Sequence, residues 1–215
     1  MKARFAMPAL LVAVLIAGCG SSSSSSSSSG TGQSTGSSGA PTLGFEGIPI
    51  EQGSEIAPAS TTQTGTVDGI SCGPTERLEY HIHAYLAVYL DGAPRSLPAG
   101  IGIPGSVPQQ TGQGPIAVGG ECIYWLHTHT SDGVIHIESP AQRIYSLGEF
   151  FDLWHQPLTP GRVGGLDGKV TAIVDGKQWS KSPRAIPLLP HAVIQLDVGS
   201  ASVPFKSVSW NATGL

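Results

Sequence analysis

The sequence predicts a mainly β domain, built as an antiparallel sandwich or a small barrel with one short helix. Segments in which polar and apolar residues alternate recur along the chain, as expected for half-buried strands. Asp-Gly dipeptides at 91–92, 132–133 and 175–176 follow these segments and are strong signals for tight hairpin turns. The chain contains 29 glycines and 17 prolines, many of them between the strands, which is typical of all-β domains.

The first predicted strand, residues 78–90, carries two histidines on one face. Its apolar face consists of Ile82, Ala84, Leu86, Val88 and Leu90, and its other face includes His81, His83, Tyr85 and Tyr89. The dipeptide at 91–92 then turns the chain. Residues 93–120 are rich in glycine and proline and predict a long loop with short strands.

The second histidine-rich segment, residues 122–140, predicts a hairpin with Asp132-Gly133 at the turn. The predicted cross-strand pairs are Ser131 with Val134, His129 with His136, and His127 with Glu138. Because residues two apart in a strand point to the same face, the histidines and Glu138 share one face, with paired Cβ atoms ~5 Å apart. The opposite face carries Leu126, Ile135 and Ile137 and is expected to join the core.

One helix and a second hairpin follow. Ser146 and Glu149 fit a capping box, which predicts a short helix through about Trp154. Phe150, Phe151, Leu153 and Trp154 are expected to dock this helix on the sheet. Strands over 169–174, 178–179 and 192–198 complete the prediction. Residues 86–98 and 171–183 resemble each other, which suggests either a duplicated hairpin unit or two ordinary hairpins.

The N-terminus predicts export and a lipid anchor. Two basic residues precede an apolar stretch, residues 6–17, that is too short to span a bilayer. The stretch ends in Leu-Ile-Ala-Gly-Cys at 15–19, which resembles the lipobox of bacterial lipoproteins. The resemblance implies cleavage after Gly18, lipid attachment at Cys19 and anchoring in a membrane. A plain secretory signal followed by a chance cysteine is the alternative.

The predicted organisation has four parts. They are a signal peptide (1–18), a Ser/Gly-rich flexible tether (19–66), a histidine-rich β domain (67–200) and a C-terminal strand or tail (201–215). The tether prediction rests on a serine run at 21–29 and a small polar composition that cannot bury enough apolar surface to fold. The expected location is the extracytoplasmic face of the cell envelope, in contact with the periplasm, and Gly20 favours the outer membrane if the host has one.

The charge excludes nucleic acid as an expected partner. Removal of residues 1–18 takes away two of the eleven basic residues, so nine basic residues face fifteen acidic ones and the formal net charge is about −6. No basic stripe remains for a phosphate backbone or an anionic lipid surface. The membrane is therefore an expected partner only through the lipid at Cys19.

The remaining two cysteines, Cys72 and Cys122, are expected to form a disulfide in an oxidising compartment. Two thiolate metal ligands are the alternative. Cys122 has the opposite strand parity to His127 and His129, which argues against its joining their cluster.

The histidine spacing predicts a metal site. The candidate ligands are His127, His129, His136 and Glu138, with His81 and His83 completing or flanking the site. Imidazole and carboxylate ligands suit a divalent transition metal, and Zn²⁺ or Cu²⁺ is expected ahead of Fe²⁺. Both methionines, Met1 and Met7, leave with the signal peptide, which excludes a methionine-rich Cu(I) carrier and disfavours a blue-copper site.

These motifs resemble a group of secreted or membrane-anchored bacterial and archaeal proteins that carry no established function. The resemblance spans residues 78–200 and rests on the His-Ile-His strand, Leu-His-Thr-His at 126–129, Ile-His-Ile-Glu-Ser at 135–139 and Leu-Gly-Glu-Phe-Phe at 147–151. In that group an acidic residue often follows the second histidine of Leu-His-Thr-His, whereas Thr130 stands here. The resemblance implies that the motifs form a unit, and it implies no reaction.

Three functional hypotheses follow. The first is a cell-envelope lipoprotein that binds a divalent metal as a carrier, buffer or sensor. The second is a metalloenzyme in which histidines hold the ion and Glu138 acts as the general base. The third is a metal-free interaction module whose contact surface is formed by Tyr85, Tyr89, Trp125 and Trp154. Two histidines, His155 and His191, are expected to have structural roles.

Overall fold

The computed structural model describes residues 43–51, 53–60 and 62–215. The predicted signal peptide, the lipidation site at Cys19 and the start of the predicted tether lie outside these residues. Within the described part of the chain, no helix is both long enough and apolar enough to cross a membrane.

A seven-stranded sheet forms the centre of the domain. In chain order its strands are β1 (Tyr80–Leu90), β2 (Ala93–Arg95), β3 (Leu126–His127), β4 (Val134–Ser139), β5 (Val170–Val174), β6 (Lys177–Trp179) and β7 (Val193–Val198). The spatial order is β6-β5-β7-β1-β4-β3, and β2 pairs with the C-terminal end of β1 beside β4. The sheet is open at β6 and β3, so the predicted mainly β fold with one short helix takes the sandwich form and not the barrel form.

Strand β1 lies in the middle of this sheet and changes partners along its length. Residues 80–85 pair antiparallel with β4, and residues 85–90 pair with β7 on the other edge. The β1–β7 pair is parallel, whereas the other pairs of this sheet are antiparallel, so the all-antiparallel expectation needs this one correction. A parallel neighbour requires a long crossover, and the chain between β1 and β7 contains the helix.

One face of the sheet packs against the predicted helix, α1 (Leu147–Leu153). The capping box is present, because Glu149 N–H donates to Ser146 Oγ (3.3 Å) and Ser146 N–H donates to the Glu149 carboxylate (2.6 Å). The core on this face contains the predicted apolar residues of both histidine strands, together with the helix aromatics: Ala84, Leu86, Val88, Leu126, Ile135, Ile137, Phe150, Phe151, Leu153 and Trp154.

The opposite face is polar at one end and apolar at the other. Its apolar end contains Tyr85, Tyr89 and Val193, which form a second buried cluster with Ile48. The C-terminal residues 203–215 pack against this cluster as an irregular tail that ends in a 3-10 turn, Trp210–Ala212. Residues 201–215 contain no β-strand. The polar end of the same face carries the histidines.

Part of the segment predicted to be a flexible tether is packed on the domain instead. Ile48 and Ile56 are buried, and Glu55 forms a bridge with Ser96 beside the sheet. This part of the prediction is wrong because single apolar residues in a Gly/Pro-rich background have no periodicity. Each of them nevertheless removes apolar surface from water when it meets a preformed core.

Short strand pairs surround the central sheet. They are Cys72–Gly73 with Ile123–Tyr124, Gln109–Thr111 with Gly114–Ile116, Tyr145–Ser146 with Pro187–Leu188, and the three-stranded set Leu158–Thr159, Arg162–Val163 and Leu166–Asp167. A 3-10 turn, Pro183–Ala185, follows β6. Cys72 and Cys122 form a disulfide with their Cα atoms 5.6 Å apart, so neither is a free thiolate ligand.

Candidate metal centre

The histidine hairpin has a different register from the predicted one. In β3 and β4, His127 pairs with His136 and Leu126 pairs with Ile137, whereas the sequence predicts His127 opposite Glu138. The register is therefore shifted by two residues. Because the side-chain period of a strand is two, the shift preserves parity, and His127, His136 and Glu138 still share one face.

The reason for the shift is that residues 128–133 form a longer connection in place of the predicted two-residue turn. Thr128 exchanges backbone hydrogen bonds with the 98–117 loop, donating to Ile101 O (3.0 Å) and accepting from Gly100 N–H (2.9 Å). His129 O accepts from Ala117 N–H at 2.8 Å. Because these backbone groups already form hydrogen bonds with a neighbouring loop, the segment cannot extend its pairing with β4.

The central position of β4 brings the two histidine segments together. Strand β4 lies between β1 and β3, with His83 opposite His136 and His81 opposite Glu138. The sequence leaves open how far His81 and His83 lie from the hairpin, and the sheet order places them on the strand that neighbours β4. All six predicted ligands lie on or beside this one face.

The first set of ligand atoms, which we call the strand group, comes from β1 and β4. Its members are His81, His83, His136 and Glu138, whose ligand atoms all lie within 4.8 Å of one another. His83 Nε2 is 3.0 Å from His81 Nε2 and 3.2 Å from His136 Nδ1. Glu138 Oε1 is 3.1 Å from His81 Nε2 and 3.2 Å from His136 Nδ1. Four donor atoms thus converge on one small volume.

The second set, which we call the loop group, contains His127 and His129, whose Nε2 atoms are 3.2 Å apart. The Nδ1–H of His127 donates to Tyr124 O (2.8 Å), and that of His129 donates to Ala117 O (2.7 Å). A carbonyl oxygen only accepts, so Nδ1 of each ring carries a proton, and Nε2 is the nitrogen that can present a lone pair to a metal ion. Two lone pairs that face each other at this distance repel unless a cation lies between them.

Burial keeps two of the candidate ligands, His83 and His127, neutral. Burial, followed by the charges of His136 and His81, lowers the pKa of His83 to about 3. The fully buried His127 has a pKa well below its usual value, first because of burial and then because of His136 and His129. A metal ion competes with a proton for the same nitrogen, so these rings present their lone pairs without first having to lose a proton.

The structure adds two carboxylates that the sequence does not predict. Glu46 Oε1 is 2.7 Å from His136 Nε2, and Glu76 Oε1 is 3.2 Å from His129 Nε2. Burial lowers the pKa of His136, but hydrogen bonds to Glu138 and Glu46 outweigh burial and raise it to about 9. Neither new carboxylate belongs to a periodic motif, and Glu46 lies in the segment assigned to the tether, so no signal in the sequence points to them.

Glu138 provides the clearest unsatisfied group of the site. Its carboxylate is buried, and Oε2 has no hydrogen-bond partner, lying 3.9 Å from His127 Nε2. A buried carboxylate oxygen without a donor is costly, unless a cation occupies the space beside it. Together with the facing imidazole nitrogens, this atom gives the cluster more acceptors than donors. The described residues therefore include histidine and glutamate clusters that can hold a metal ion.

Comparison with protein-family models, curated proteins and solved structures finds no match. The functional argument therefore rests on the geometry of the site.

The remaining predicted functional residues lie outside the cluster. His155 is exposed just after α1 and adopts a left-handed conformation (φ 56°), and His191 stacks on Trp210 with ring centroids 4.7 Å apart. The predicted aromatic contact surface does not exist: Tyr85, Tyr89 and Trp154 are buried and Trp125 packs partly buried against the core. The C-terminal tail covers Tyr85 and Tyr89, whereas the two tryptophans pack in the core on the helix side, and alternation alone reveals neither contact.

Proposed function

We propose that this protein is a lipid-anchored cell-envelope protein that binds a divalent transition metal, Zn²⁺ or Cu²⁺, through the histidine cluster. The observation that carries the proposal is the close approach of His127 Nε2 to His129 Nε2, when both Nδ1 atoms already donate to carbonyls. In neutral rings held this way, two Nε2 lone pairs face each other, and a cation bound between the two nitrogens uses both of them.

The spacing of the nitrogens suits one ion per pair. Two ligand nitrogens bonded to a tetrahedral zinc ion at about 2.0–2.1 Å lie about 3.3 Å apart. The Nε2–Nε2 distance is 3.2 Å for His127 and His129, and 3.0 Å for His81 and His83. An ion therefore fits between either pair with only a small outward movement of the rings.

The surroundings of the ligands support metal binding as well. Metal-bound histidines usually donate their other ring N–H to a carbonyl or a carboxylate, which fixes the tautomer and the ring orientation. Tyr124 O and Ala117 O have this role for the loop group, and Glu46 has it for His136. Imidazole and carboxylate donors without thiolate or thioether suit Zn²⁺ and Cu²⁺.

Glu138 fits the role of a ligand better than that of a general base. A base acts on metal-bound water from outside the ligand set. Here Glu138 Oε1 lies at the same distance from the ring nitrogens as the nitrogens lie from one another. The geometry thus favours a binding function over the enzymatic alternative.

The envelope location rests on the sequence: the lipobox-like segment at 15–19 supports an anchor at Cys19, and the disulfide suits an oxidising compartment. On this proposal the domain serves as a carrier, buffer or sensor of metal outside the cytoplasm.

Elemental analysis of the full chain, purified without a histidine tag, tests the proposal. We expect bound Zn or Cu, and we expect His127→Ala to reduce it sharply. His155→Asn is the matched control, because it removes an exposed histidine while asparagine tolerates the left-handed conformation. Metal content that is unchanged in His127→Ala, or absent from the chain even after incubation with either metal, would overturn the proposal.

A further inference from the structure

We infer that the cluster holds two metal ions, one in the strand group and one in the loop group, with the Glu138 carboxylate bridging them. The inference rests on the proposed function and extends it from a single ion to a dinuclear centre.

The strand group alone supplies a full coordination shell. Three imidazole nitrogens and Glu138 Oε1 lie within 4.8 Å of one another, and four ligands complete a tetrahedral site. An ion bound there has all four of its coordination positions filled, so it cannot also bind His127 or His129. His127 and His129 consequently need a cation of their own to separate their facing lone pairs.

His136 does not remove this need, although it lies near both groups. Its Nδ1 faces His83 and Glu138 in the strand group. Its Nε2 has the closer carboxylate contact, 2.7 Å to Glu46 against 3.2 Å from Nδ1 to Glu138. When His136 loses one proton to bind metal, the proton on Nε2 therefore stays, and Nε2 has no lone pair for a second ion. One imidazole therefore serves the strand group only.

Two carboxylates complete the loop group. Glu76 Oε1 is 3.2 Å from His129 Nε2. One ligand atom from each of Glu76, His127 and Glu138 also lies within 4.8 Å of the others. The unpartnered Oε2 of Glu138 is directed to this side, 3.9 Å from His127 Nε2, while Oε1 serves the strand group. A carboxylate that gives one oxygen to each ion is suited to a pair of ions about 3.5–4 Å apart.

The charge and the access of the cluster agree with two ions. The ion pairs recorded for Glu46, Glu76 and Glu138 are all with histidines, so within the described residues no lysine or arginine neutralises them. Their three negative charges offset most of the charge of two divalent ions. Each group also has a partly exposed member, His81 at 38% and Glu76 at 35% side-chain exposure, through which an ion can enter.

Zinc titration of the tag-free full chain, followed by calorimetry and native mass spectrometry, tests the inference. We expect two ions per chain in the wild type, and one ion in each of the double variants His81→Ala/His83→Ala and His127→Ala/His129→Ala. His155→Asn should keep both ions, and the circular dichroism spectrum of every variant checks folding.

Copper loading of the wild type tests the bridge without depending on any variant. Two Cu²⁺ ions joined by one carboxylate couple magnetically, so the electron paramagnetic resonance signal should fall well below the intensity expected for two isolated ions. Glu138→Gln should restore isolated signals and weaken the second ion at least about tenfold.

The outcomes separate the inference from the proposed function. A single ion that is lost in both double variants would overturn the dinuclear centre and leave metal binding intact. Two ions without magnetic coupling would overturn the bridge. No bound ion at all would overturn the proposed function itself.

Discussion

The strand group and the loop group are built from the same residue type but held by different means. In the strand group, the side chains are set by paired backbone: His81 opposite Glu138 and His83 opposite His136. In the loop group, His127 is the last residue of a two-residue strand, and His129 is oriented by Ala117 in a distant loop. The ligand positions in the strand group therefore depend on the register of the sheet, whereas those in the loop group depend on how the loops pack. Perturbations of the loops should therefore affect the two halves unequally.

The largest expected effect comes from opening the disulfide. Cys72 pairs with Tyr124, whose carbonyl orients His127, and Glu76 follows a few residues after Cys72. Replacing both cysteines by serine should lower the free energy of unfolding by about 4 kcal/mol, given the separation of 50 residues. It should also weaken metal binding in the loop group more than in the strand group. Denaturant unfolding and a zinc titration measure the two effects, and equal loss in both groups would contradict the comparison.

A single methyl group at Gly102 should also disturb the loop group. Gly102 has φ +72°, and a Cβ there would lie 2.2 Å from Leu126 O and 3.1 Å from His127 Cβ. We expect Gly102→Ala to lower the free energy of unfolding by about 3 kcal/mol and to displace His127. Gly112→Ala is the matched control, because a Cβ at that position meets nothing within 4 Å. The two variants are compared by thermal unfolding and by the number of ions bound.

Thr128→Val should have a smaller effect on the same loop. Its buried Oγ1 accepts from Ile101 N–H (3.1 Å) and donates to Pro98 O (3.1 Å). Valine has nearly the same shape but leaves both backbone groups unpaired, so we expect a loss of about 2 kcal/mol. Thr75→Val, at an exposed position, is the control. If Thr128→Val binds zinc like the wild type in both groups, the contact between the two loops does not hold His129 in place.

The stability of the metal-free protein should depend on pH through His136, a member of the strand group. The pKa of His136 is raised to about 9 in the metal-free fold, above its unfolded value near 6.5. Its contribution to stability is therefore fully present below about pH 6.5 and is lost as pH rises through about 9. Chelator-treated protein should unfold more easily at pH 9.5 than at pH 6.5, as measured by denaturant midpoints.

Zinc binding at pH 7 should release about one proton, because His136 must lose one to bind. Calorimetry in buffers of different ionisation enthalpy measures this release. Glu46→Gln should reduce it, since one of the two carboxylates that raise the pKa of His136 is then gone. If Glu46→Gln releases as many protons as the wild type, the Glu46 carboxylate does not hold the proton on His136.

Local sequence patterns predicted much of the fold and of the candidate site. The apolar faces of β1 and β4, the helix with its capping box, and the Asp-Gly turns after β1 and β5 follow from local patterns that the tertiary structure keeps. Both of these turns have positive φ at Asp and Gly, as a type I′ hairpin requires.

The sequence did not predict what depends on distant partners. The third Asp-Gly pair, 132–133, does not form a two-residue turn, because residues 128–130 pair with the 98–117 loop. The position of β4 between β1 and β3, the parallel pairing of β1 with β7, and the two additional glutamates, Glu46 and Glu76, also depend on long-range contacts. None of these contacts leaves a periodic signal in the chain.

The parallel pairing of β1 with β7 affects the order in which the protein matures. Tyr85 of β1 pairs with Val193, which lies about a hundred residues later in the chain. The central strand therefore has partners on both edges only after almost the whole chain is present. Contacts of such long range slow folding. During folding, the chain therefore exposes His81 and His83 to free metal ions before the remaining ligands are in place. We expect excess metal during refolding to trap open chains and lower the yield, although the same metal stabilises the finished domain.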